Sequence, residues 1–249
     1  MNKKMNKILR EDGREPGEIR PVRFHKDFAP AAKGSVLVEM GKTRIVCGVS
    51  VQESVPRWMQ NQKVAGGWVT AEYSMLPYAS PERKSRESST GKIGGRTQEI
   101  QRLIGRSLRA VIDLEALGRR TMWVDCDVVQ ADGGTRTAAV TAGCVAVRLA
   151  VRRLMEEGLL DADPVREAVA AVSVGIVRGV PLLDLCYTED VEAEVDMNVV
   201  MTASGKFVEV QGTAETDPFS KTELSSMMRL AGSGIETLVM EQEKALSTG

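Results

Sequence analysis

The sequence predicts an α/β fold of the α+β type, in which mixed β-sheets are covered by helices. Two observations support this prediction. Short segments rich in valine, isoleucine and threonine, which are typical of strands, occur repeatedly along the chain. Between them lie longer segments whose apolar residues follow the 3.6-residue spacing of a helix. Strands and helices interspersed in this way pack as layers around a common core.

The first strand signals lie in the N-terminal third of the chain. Residues 34–52 alternate or run apolar around a Gly41-Lys42 turn, which predicts a hairpin. Residues 68–76 predict a third strand. Residues 77–95 are rich in proline, serine, glycine and basic residues and predict a long exposed loop. Loops of this length are usually functional or disordered.

The middle of the chain alternates between helix and strand signals. Residues 96–113 carry apolar side chains at helical spacing, with Arg102, Arg106 and Arg109 on the opposite side, so we expect a helix with one buried and one basic face. Residues 121–130 predict a strand. Residues 134–157 predict a helix that packs tightly, because many of its apolar residues are small. Residues 168–177 predict a buried strand.

The C-terminal third begins with an acidic segment, residues 184–192, for which we expect irregular structure. Residues 194–203 and 207–212 then predict two strands joined by a Ser-Gly-Lys turn. Residues 220–246 predict a helix whose methionines belong to the core. Strands and helices thus account for most of the chain, as an α+β protein requires.

The composition limits the class of protein. The 249 residues suffice for one large or two small domains, and no low-complexity linker divides them. Hydrophobic residues make up 43% and charged residues 27%, which is typical of soluble globular proteins. No uncharged stretch approaches the roughly 18 apolar residues of a membrane span. The basic N-terminus runs into charged residues rather than an apolar segment, so we expect no signal peptide and a cytoplasmic protein.

Cysteine and histidine usage excludes several mechanisms. Four widely spaced cysteines form no C-x-x-C pair, so zinc is not expected and buried structural thiols are. The single histidine, His25, excludes sites built from several histidines, and a Ser-His-Asp triad would have to use it. We expect His25 at the surface. Acid-base or metal chemistry must therefore depend mainly on carboxylates, lysines and arginines.

The stretch "ADGGTRTAAV", residues 131–140, predicts a strand end, two glycines and the start of a helix. Unpaired backbone N–H groups at a helix N-terminus attract anions, and glycines let an anion approach the backbone. Thr135 adds a hydroxyl and Arg136 a forked cation suited to phosphate oxygens. The pattern indicates an anion site, although it is neither a Walker A loop nor G-x-G-x-x-G. A plain helix N-terminus with a surface arginine is the alternative.

A second candidate site lies in "DLCYTEDVEAEVDMNVV", residues 184–200. Asp190 lies near the end of the acidic segment, and Asp196 enters an apolar strand that should be largely buried. A carboxylate in such a strand needs a cation or a group with which to share a proton. The two carboxylates could hold magnesium, with substrate phosphates completing its shell, or one could protonate a leaving oxygen. An acidic turn with one salt-bridged aspartate is the alternative.

Charge is unevenly distributed although the net charge is only −1. Residues 82–109 contain eight basic and three acidic residues, whereas residues 184–249 contain thirteen acidic and four basic ones. A basic patch on a near-neutral protein indicates a polyanion contacted at one place. A solvated helix face is the alternative. The hypothetical RNA-backbone contacts in this run are Arg83, Lys84, Arg86, Arg102 and Arg106.

Several ordered motifs resemble those of bacterial ribonuclease PH. Most of the resemblance lies in "GGRTQEIQRLIGRSLRAVIDLEALGRRTMWVDCDVVQADGGTRTAAVTAG". The resemblance includes the N-terminal motifs "R-x-DGR…IRPV", "GSVLVEMGKT" and "AEYSMLPYAS". It also includes the later motifs "LLDLCYTED…AEVDMNVVMT" and "FVEVQGTAE". The resemblance extends from about Arg10 to the C-terminal helix. It implies a single ribonuclease PH-like domain over residues 1–249, with residues 1–9 as a flexible N-terminal extension.

The resemblance also implies an activity, that of a phosphorolytic 3′→5′ exoribonuclease or tRNA nucleotidyltransferase. In this family inorganic phosphate attacks the last phosphodiester of RNA, especially of tRNA precursors, and reversibly releases a nucleoside diphosphate. Arg96, Gly134, Thr135 and Arg136 are the expected phosphate ligands. Asp190 and Asp196 match the acidic pair that would bind Mg²⁺ (or Mn²⁺) and aid leaving-group protonation. Family members are homohexameric rings built from dimers.

Two other hypotheses compete with phosphorolysis. A family member that has lost catalysis would serve as an RNA-binding, ring-building subunit and would release no diphosphates. A hydrolytic nuclease would use water and the carboxylate pair, and would release monophosphates without added phosphate. The identity of the product separates all three.

Overall fold

The computed structural model describes residues 10–247, and the extension expected at residues 1–9 lies outside them. The described chain forms nine strands and six helices. In chain order they are β1 (Val22–Lys26), β2 (Gly34–Met40), β3 (Thr43–Gln52), α1 (Arg57–Gln62), β4 (Trp68–Met75), α2 (Glu87–Thr90), α3 (Gly95–Ala110), β5 (Thr121–Gln130), α4 (Thr135–Glu156), β6 (Val169–Val177), β7 (Val180–Leu183), α5 (Tyr187–Val191), β8 (Val195–Thr202), β9 (Phe207–Ala214) and α6 (Lys221–Ser247).

The strands form two sheets, which confirms the predicted mixture of sheets and helices. The first sheet has the order β1-β2-β3-β5-β4, and the second has the order β7-β6-β8-β9. All neighbouring strands are antiparallel except β4 and β5, which are parallel and joined through α3. A parallel pair requires such a crossover connection.

Helix α4 lies at the centre of the molecule and packs against strands of both sheets. Fifteen of its 22 residues are buried, because apolar or small side chains surround the whole helix. Close packing needs small residues on the facing strand as well. A Cβ at Gly34, where β2 begins, would collide with the backbone of Ala146 and Ala150. The predicted helix at residues 134–157 is thus confirmed, and its burial places its N-terminus between the sheets.

The other two long helices cover the sheets from outside. Helix α3 packs on β4 and on α4, and it buries the predicted apolar stripe. Helix α6 packs on β6, β7 and α4, with Met227 fully buried in the core. The predicted strands at residues 34–52, 68–76, 121–130, 168–177, 194–203 and 207–212 are also confirmed.

The structure differs from the sequence prediction in its short elements. The expected irregular segment at residues 184–192 contains the five-residue helix α5. The sequence pattern also did not predict β1, α1, β7 and the single turn α2 within the predicted loop at residues 77–95. Elements of four to six residues are too short to show a helical or strand period, which is why the pattern did not predict them.

Three of the four cysteines are buried, as predicted, and Cys186 is half-buried at the start of α5. The Sγ atoms of Cys47 and Cys126 lie 3.4 Å apart across β3 and β5. His25 is exposed on β1, where its ring contacts Glu39 at 3.1 Å. Among residues 10–247, no helix combines the length and the apolar character that a membrane crossing requires.

Candidate functional site

One cavity of about 640 Å³ opens where the C-terminal end of β5, the N-terminus of α4, α5 and β8 meet. The first turn of α3 and the loop before it complete its wall. Both sheets therefore contribute to the same space. The six residues predicted for phosphate and acid chemistry all line it: Arg96, Gly134, Thr135, Arg136, Asp190 and Asp196.

Two consecutive glycines form the floor of this cavity. Gly133 and Gly134 have φ angles of +75° and +62°, a left-handed conformation that favours glycine. A Cβ at Gly133 would lie 2.5 Å from the carbonyl oxygen of Leu185 and 2.8 Å from the carbonyl carbon of Cys186. The turn therefore packs directly on the backbone that leads into α5. Only glycine fits this approach.

The N-terminus of α4 is open to the cavity. Gly134 occupies the N-cap position, no described side chain caps the helix by a hydrogen bond, and its first turn contains no acidic residue. The first N–H groups of a helix have no partner within the helix, and the helix dipole favours a negative charge beside them. The turn and the helix thus form a cradle for an anion, which we call the cradle and define as residues 133–136.

Two side chains of the cradle are held in place by neighbours. The Thr135 hydroxyl lies 2.8 Å from the hydroxyl of Tyr73 on β4. The Arg136 guanidinium is mostly buried and donates to Glu99 of α3 at 3.3 Å and to Gln211 of β9 at 3.1 Å. Arg96, at the start of α3, is exposed on the same cavity, and no described residue accepts a hydrogen bond from it. Two guanidiniums therefore stand beside the helix N-terminus.

The acidic pair, Asp190 and Asp196, lines the same cavity, and we call this part of it the acidic wall. Burial raises the pKa of Asp190 on α5, while Arg136 and Arg96 act in the opposite direction. Burial and the negative charge of Asp190 raise the pKa of Asp196 on β8 to about 6, against the opposing effects of Arg136 and a hydrogen bond with Asn198. The two carboxylates thus repel each other in a partly buried space. Each is stabilised by a cation or by a proton.

This donor set fits a hard divalent cation. Magnesium prefers oxygen ligands and is commonly held by one or two carboxylates together with substrate phosphates. Asp190 and Asp196 supply two carboxylates on one cavity. Within the part of the chain that the structure describes, no cluster of three or more histidine, cysteine or acidic residues could hold a metal ion. A metal here would need oxygens from a substrate or water.

A buried ion pair beneath the cradle was not predicted from the sequence. Arg20 donates to both carboxylate oxygens of Asp184, from Nε at 2.9 Å and from Nη2 at 2.6 Å, and both residues are buried. Burial acts to raise the pKa of Asp184, but Arg20 and Arg14 outweigh it and the pKa lies below its ordinary value. The motif "IRPV" contained Arg20, yet no spacing linked it to Asp184.

The predicted RNA-contacting residues lie in different surroundings. Lys84 lines the cavity, whereas Arg83 and Arg86 on the loop and Arg102 on α3 are exposed but are not among its lining residues. Arg106 forms an ion pair with Glu209 on β9. Arg109, expected on the basic face, instead stacks 4.4 Å above the ring of Trp68 and donates to the carbonyl of Val69. The basic face therefore ends at Arg106.

Fold and site together define a class: a two-sheet α/β protein in which one cavity combines a helix N-terminus suited to an anion with paired carboxylates. The comparisons with known proteins identify the family. Residues 18–152 match the ribonuclease PH model, described as 3′ exoribonuclease family, domain 1, and residues 167–234 match domain 2 of the same family. The chain belongs to the 3′ exoribonuclease family.

Solved structures share this fold. Rrp46 of rice (Oryza sativa) superposes with a TM-score of 0.76 at 19% identity, over 96% of this chain and 100% of that one. A chain of the Archaeoglobus fulgidus exosome, solved with RNA bound to the active site, gives a TM-score of 0.76 at 22% identity, over 94% and 92% of the two chains. At these identities the similarity establishes the fold alone.

Proposed function

We propose that this chain is a phosphate-dependent 3′→5′ exoribonuclease that shortens RNA by phosphorolysis and releases nucleoside diphosphates. One observation carries the proposal. The cradle, two arginines and two carboxylates of raised pKa, from separate parts of the sequence, line one cavity. Membership of the 3′ exoribonuclease family supports RNA as the substrate class.

The cradle would hold inorganic phosphate as the nucleophile. Phosphate is already ionised at neutral pH, so its attack needs no histidine base. Its obstacle is charge repulsion, because a phosphate dianion approaches an anionic diester. Arg96, Arg136 and the N-terminus of α4 reduce this repulsion and fix the direction of attack. A phosphate oxygen bonds to the terminal phosphorus as the bond from that phosphorus to the 3′ oxygen breaks.

The acidic wall would serve the leaving group. The departing 3′ oxygen must gain a proton, and Asp196, whose pKa is raised to about 6, would supply it. Asp190 and Asp196 would also hold Mg²⁺ or Mn²⁺, which when bound would offset negative charge on the transferred group. Asn198, hydrogen-bonded to Asp196, would orient that carboxyl.

The finer features of the function belong to the same proposal. The RNA would enter over Lys84 and the exposed arginines Arg83, Arg86 and Arg102, with tRNA precursors as the preferred substrate. The protein would act in the cytoplasm as a homohexamer, a trimer of dimers. The cradle and the acidic pair support the catalytic part of this proposal. They support tRNA precursors as the substrate, and the hexameric ring, less directly.

A second candidate function is a non-catalytic RNA-binding subunit of a ring. The solved structures favour it at least as well as the first, since they are an Rrp46 and an exosome. Family membership does not separate the two. The presence of Arg96, Thr135, Arg136, Asp190 and Asp196 on one cavity is the reason for preferring catalysis.

Analysis of the reaction products distinguishes the phosphorolytic enzyme from the non-catalytic subunit. RNA with a free 3′ end is incubated with Mg²⁺, with and without inorganic phosphate, using the wild-type chain and Arg136→Ala. Arg166→Ala, which removes an exposed arginine paired with Asp113, is the control. We expect diphosphates only with phosphate, a loss of about 100-fold or more in Arg136→Ala and none in the control. RNA binding without products would favour the ring subunit, and monophosphates without phosphate would indicate a hydrolase.

A further inference from the structure

Three arginines of one N-terminal segment converge on two acidic residues behind the cavity. We define Arg10, Arg14 and Arg20 as the arginine clasp. Their side chains are at most 8% exposed, and those of Asp184 and Glu189 are 0% and 10% exposed. Buried arginines are uncommon, because desolvating a charge is costly unless the charge is paired and hydrogen-bonded.

The first contact of the clasp holds α5. Arg10 donates from Nε and Nη2 to the two carboxylate oxygens of Glu189, both at 2.7 Å. The same carboxylate accepts from the backbone N–H of Cys186 at 3.0 Å and so caps α5. A five-residue helix has little stability of its own. Its orientation, and with it the position of Asp190 next to Glu189, therefore depends on this bidentate pair.

The second contact holds the cradle. Arg20 donates to Asp184 through its backbone N–H at 2.8 Å and through its guanidinium, and Nη1 also donates to the carbonyl of Asp132, immediately before the glycines. A Cβ at Gly134 would lie 3.0 Å from Nη2 of Arg20. The guanidinium thus lies directly behind the turn and fixes its path.

Arg14 links the two contacts. Its Nη1 donates to the carbonyl oxygens of Asp184 at 3.0 Å and Glu18 at 2.9 Å. Its Nη2 lies 3.7 Å from Glu189 and has no hydrogen-bond partner among the described residues. The backbone of the segment is also tied to β7, since Leu183 N–H donates to the carbonyl of Pro16. One segment thus braces both walls of the cavity.

We propose that the arginine clasp is a set of positioning residues that sets the distance between the two halves of the site, with Arg10 acting on Asp190 through Glu189 and Arg20 acting on the cradle through Asp184 and Asp132. This inference rests on the proposed function. It implies that the two contacts affect different steps of the reaction. Loosening the Arg10 contact should affect the acidic wall, and loosening the Arg20 contact should affect phosphate binding.

Kinetics separate these effects. In Arg10→Gln we expect kcat to fall by about 100-fold and the Mg²⁺ concentration for half-maximal rate to rise, with KM for phosphate within about twofold. In Arg20→Lys, which keeps the charge but loses the fork, we expect KM for phosphate to rise by about tenfold with an unchanged Mg²⁺ requirement. Arg10→Lys should recover part of the loss. If Arg10→Gln and Arg20→Lys changed KM for phosphate and the Mg²⁺ requirement to the same extent, the proposal would be overturned.

A matched control lies at the other end of α5. Arg178 pairs with Glu192, the C-cap residue of that helix, at 2.6 Å, but both side chains are more than half exposed. Exposed ion pairs contribute little. Arg178→Gln should therefore leave kcat, KM and the Mg²⁺ requirement unchanged. A loss in Arg178→Gln equal to that in Arg10→Gln would mean that α5 responds to any lost ion pair, and would overturn the specific role of Arg10.

Amide hydrogen exchange tests the structural claim without relying on activity. In Arg10→Gln the N–H of Asp190, which donates to the carbonyl of Cys186, should exchange at least about tenfold faster, while amides of β6 keep their protection. Unchanged exchange at α5 would overturn the proposal. If wild-type protein releases no diphosphates, the proposed function fails, and the exchange result then decides the clasp alone.

Discussion

The cradle and the basic strip attract negative charge by different means. We define the basic strip as Arg83, Lys84, Arg86, Arg102 and Arg106. The cradle is made of backbone, with two left-handed glycines and a buried arginine directly behind it. In the basic strip, Arg83, Lys84, Arg86, Arg102 and Arg106 are exposed on a loop and a helix face. The groups of the cradle are held in place by neighbouring residues, whereas the side chains of the basic strip are exposed to solvent.

This difference matches two tasks. A transition state must meet groups that are already oriented, because reorganisation during the reaction costs rate. A long RNA needs only attraction along its backbone, which flexible cations in solvent provide and which salt weakens. The cradle should therefore be sensitive to any change in shape, and the basic strip only to a change in charge. Five predictions test this contrast.

The largest effect is expected at Asp184. Asp184→Asn removes the charge that balances Arg20 and Arg14, and it should lower the free energy of unfolding by about 3–5 kcal/mol. Urea denaturation at pH 7 measures this. Glu157→Gln, which breaks an exposed pair with Lys33, is the control and should change stability little. An equally small change in Asp184→Asn would show that the region behind the cradle is not rigid.

The same pair predicts the behaviour in acid. The pKa of Asp184 lies below its ordinary value in the folded protein, so its stabilising effect is complete above the unfolded pKa of about 3.9 and disappears as the pH falls through the lower folded pKa. The gap between wild type and Asp184→Asn should therefore close below about pH 4. A gap that stayed constant to pH 2 would contradict the assigned cause.

The next effect is expected at Gly133. Gly133→Ala adds a Cβ against the backbone of Leu185 and Cys186 at a φ of +75°, and should cost about 3 kcal/mol and most of the phosphate binding. Gly158→Ala is a matched control, since its φ is +70° but its Cβ would meet nothing within 4 Å. It should cost only about 1–2 kcal/mol. The difference between the variants measures the collision alone, and equal costs would remove the argument for close packing.

A smaller effect of opposite sign is expected at Asp196. Its pKa of about 6 means that folding is penalised once the pH rises through that value, and that the penalty is absent below the unfolded pKa. Asp196→Asn should therefore raise the free energy of unfolding by roughly 1–2 kcal/mol at pH 8, in a chelator, with no gain at pH 4. Activity should be lost at both pH values. An equal gain in the free energy of unfolding at pH 4 and at pH 8 would show that the effect does not come from the ionisation of Asp196.

The smallest structural effect is expected in the basic strip. The double variant Arg83→Ala with Arg86→Ala should leave unfolding unchanged but weaken RNA binding and reduce the slope of log affinity against log salt by about 1–2. Arg148→Ala with Arg178→Ala, which removes the same charge elsewhere, is the control. An unchanged affinity and slope would identify the strip as a solvated face or a contact between subunits.

Periodicity predicted the long elements because they are governed by burial. The β2–β3 hairpin and α4 follow directly from apolar spacing, and the structure confirms both. The residues predicted for the site do line one cavity, and their roles stay predictions. The wrong expectation at Arg109 has a physical reason: a long side chain at an outward position can fold back, and here it stacks on Trp68.

What the sequence could not predict is long-range pairing of charges. Arg10 and Glu189 are 179 positions apart, and neither local composition nor spacing links them. Helix α5 was missed for a related reason, because the Glu189 carboxylate that caps it is itself held by Arg10. Sequence patterns report burial over a few turns. They contain no information on which buried arginine will meet which acid.

The single connection from α4 to β6 has a consequence for how the chain can be divided. It runs through the largely exposed residues 157–168, and it separates the cradle on one side from both aspartates on the other. A protein cut there would yield two inactive pieces, each with an uncovered face of the core. If the proposed activity is present, reassembly of the pieces should restore turnover, so that turnover would report, as a split reporter does, whether two fused partners have met.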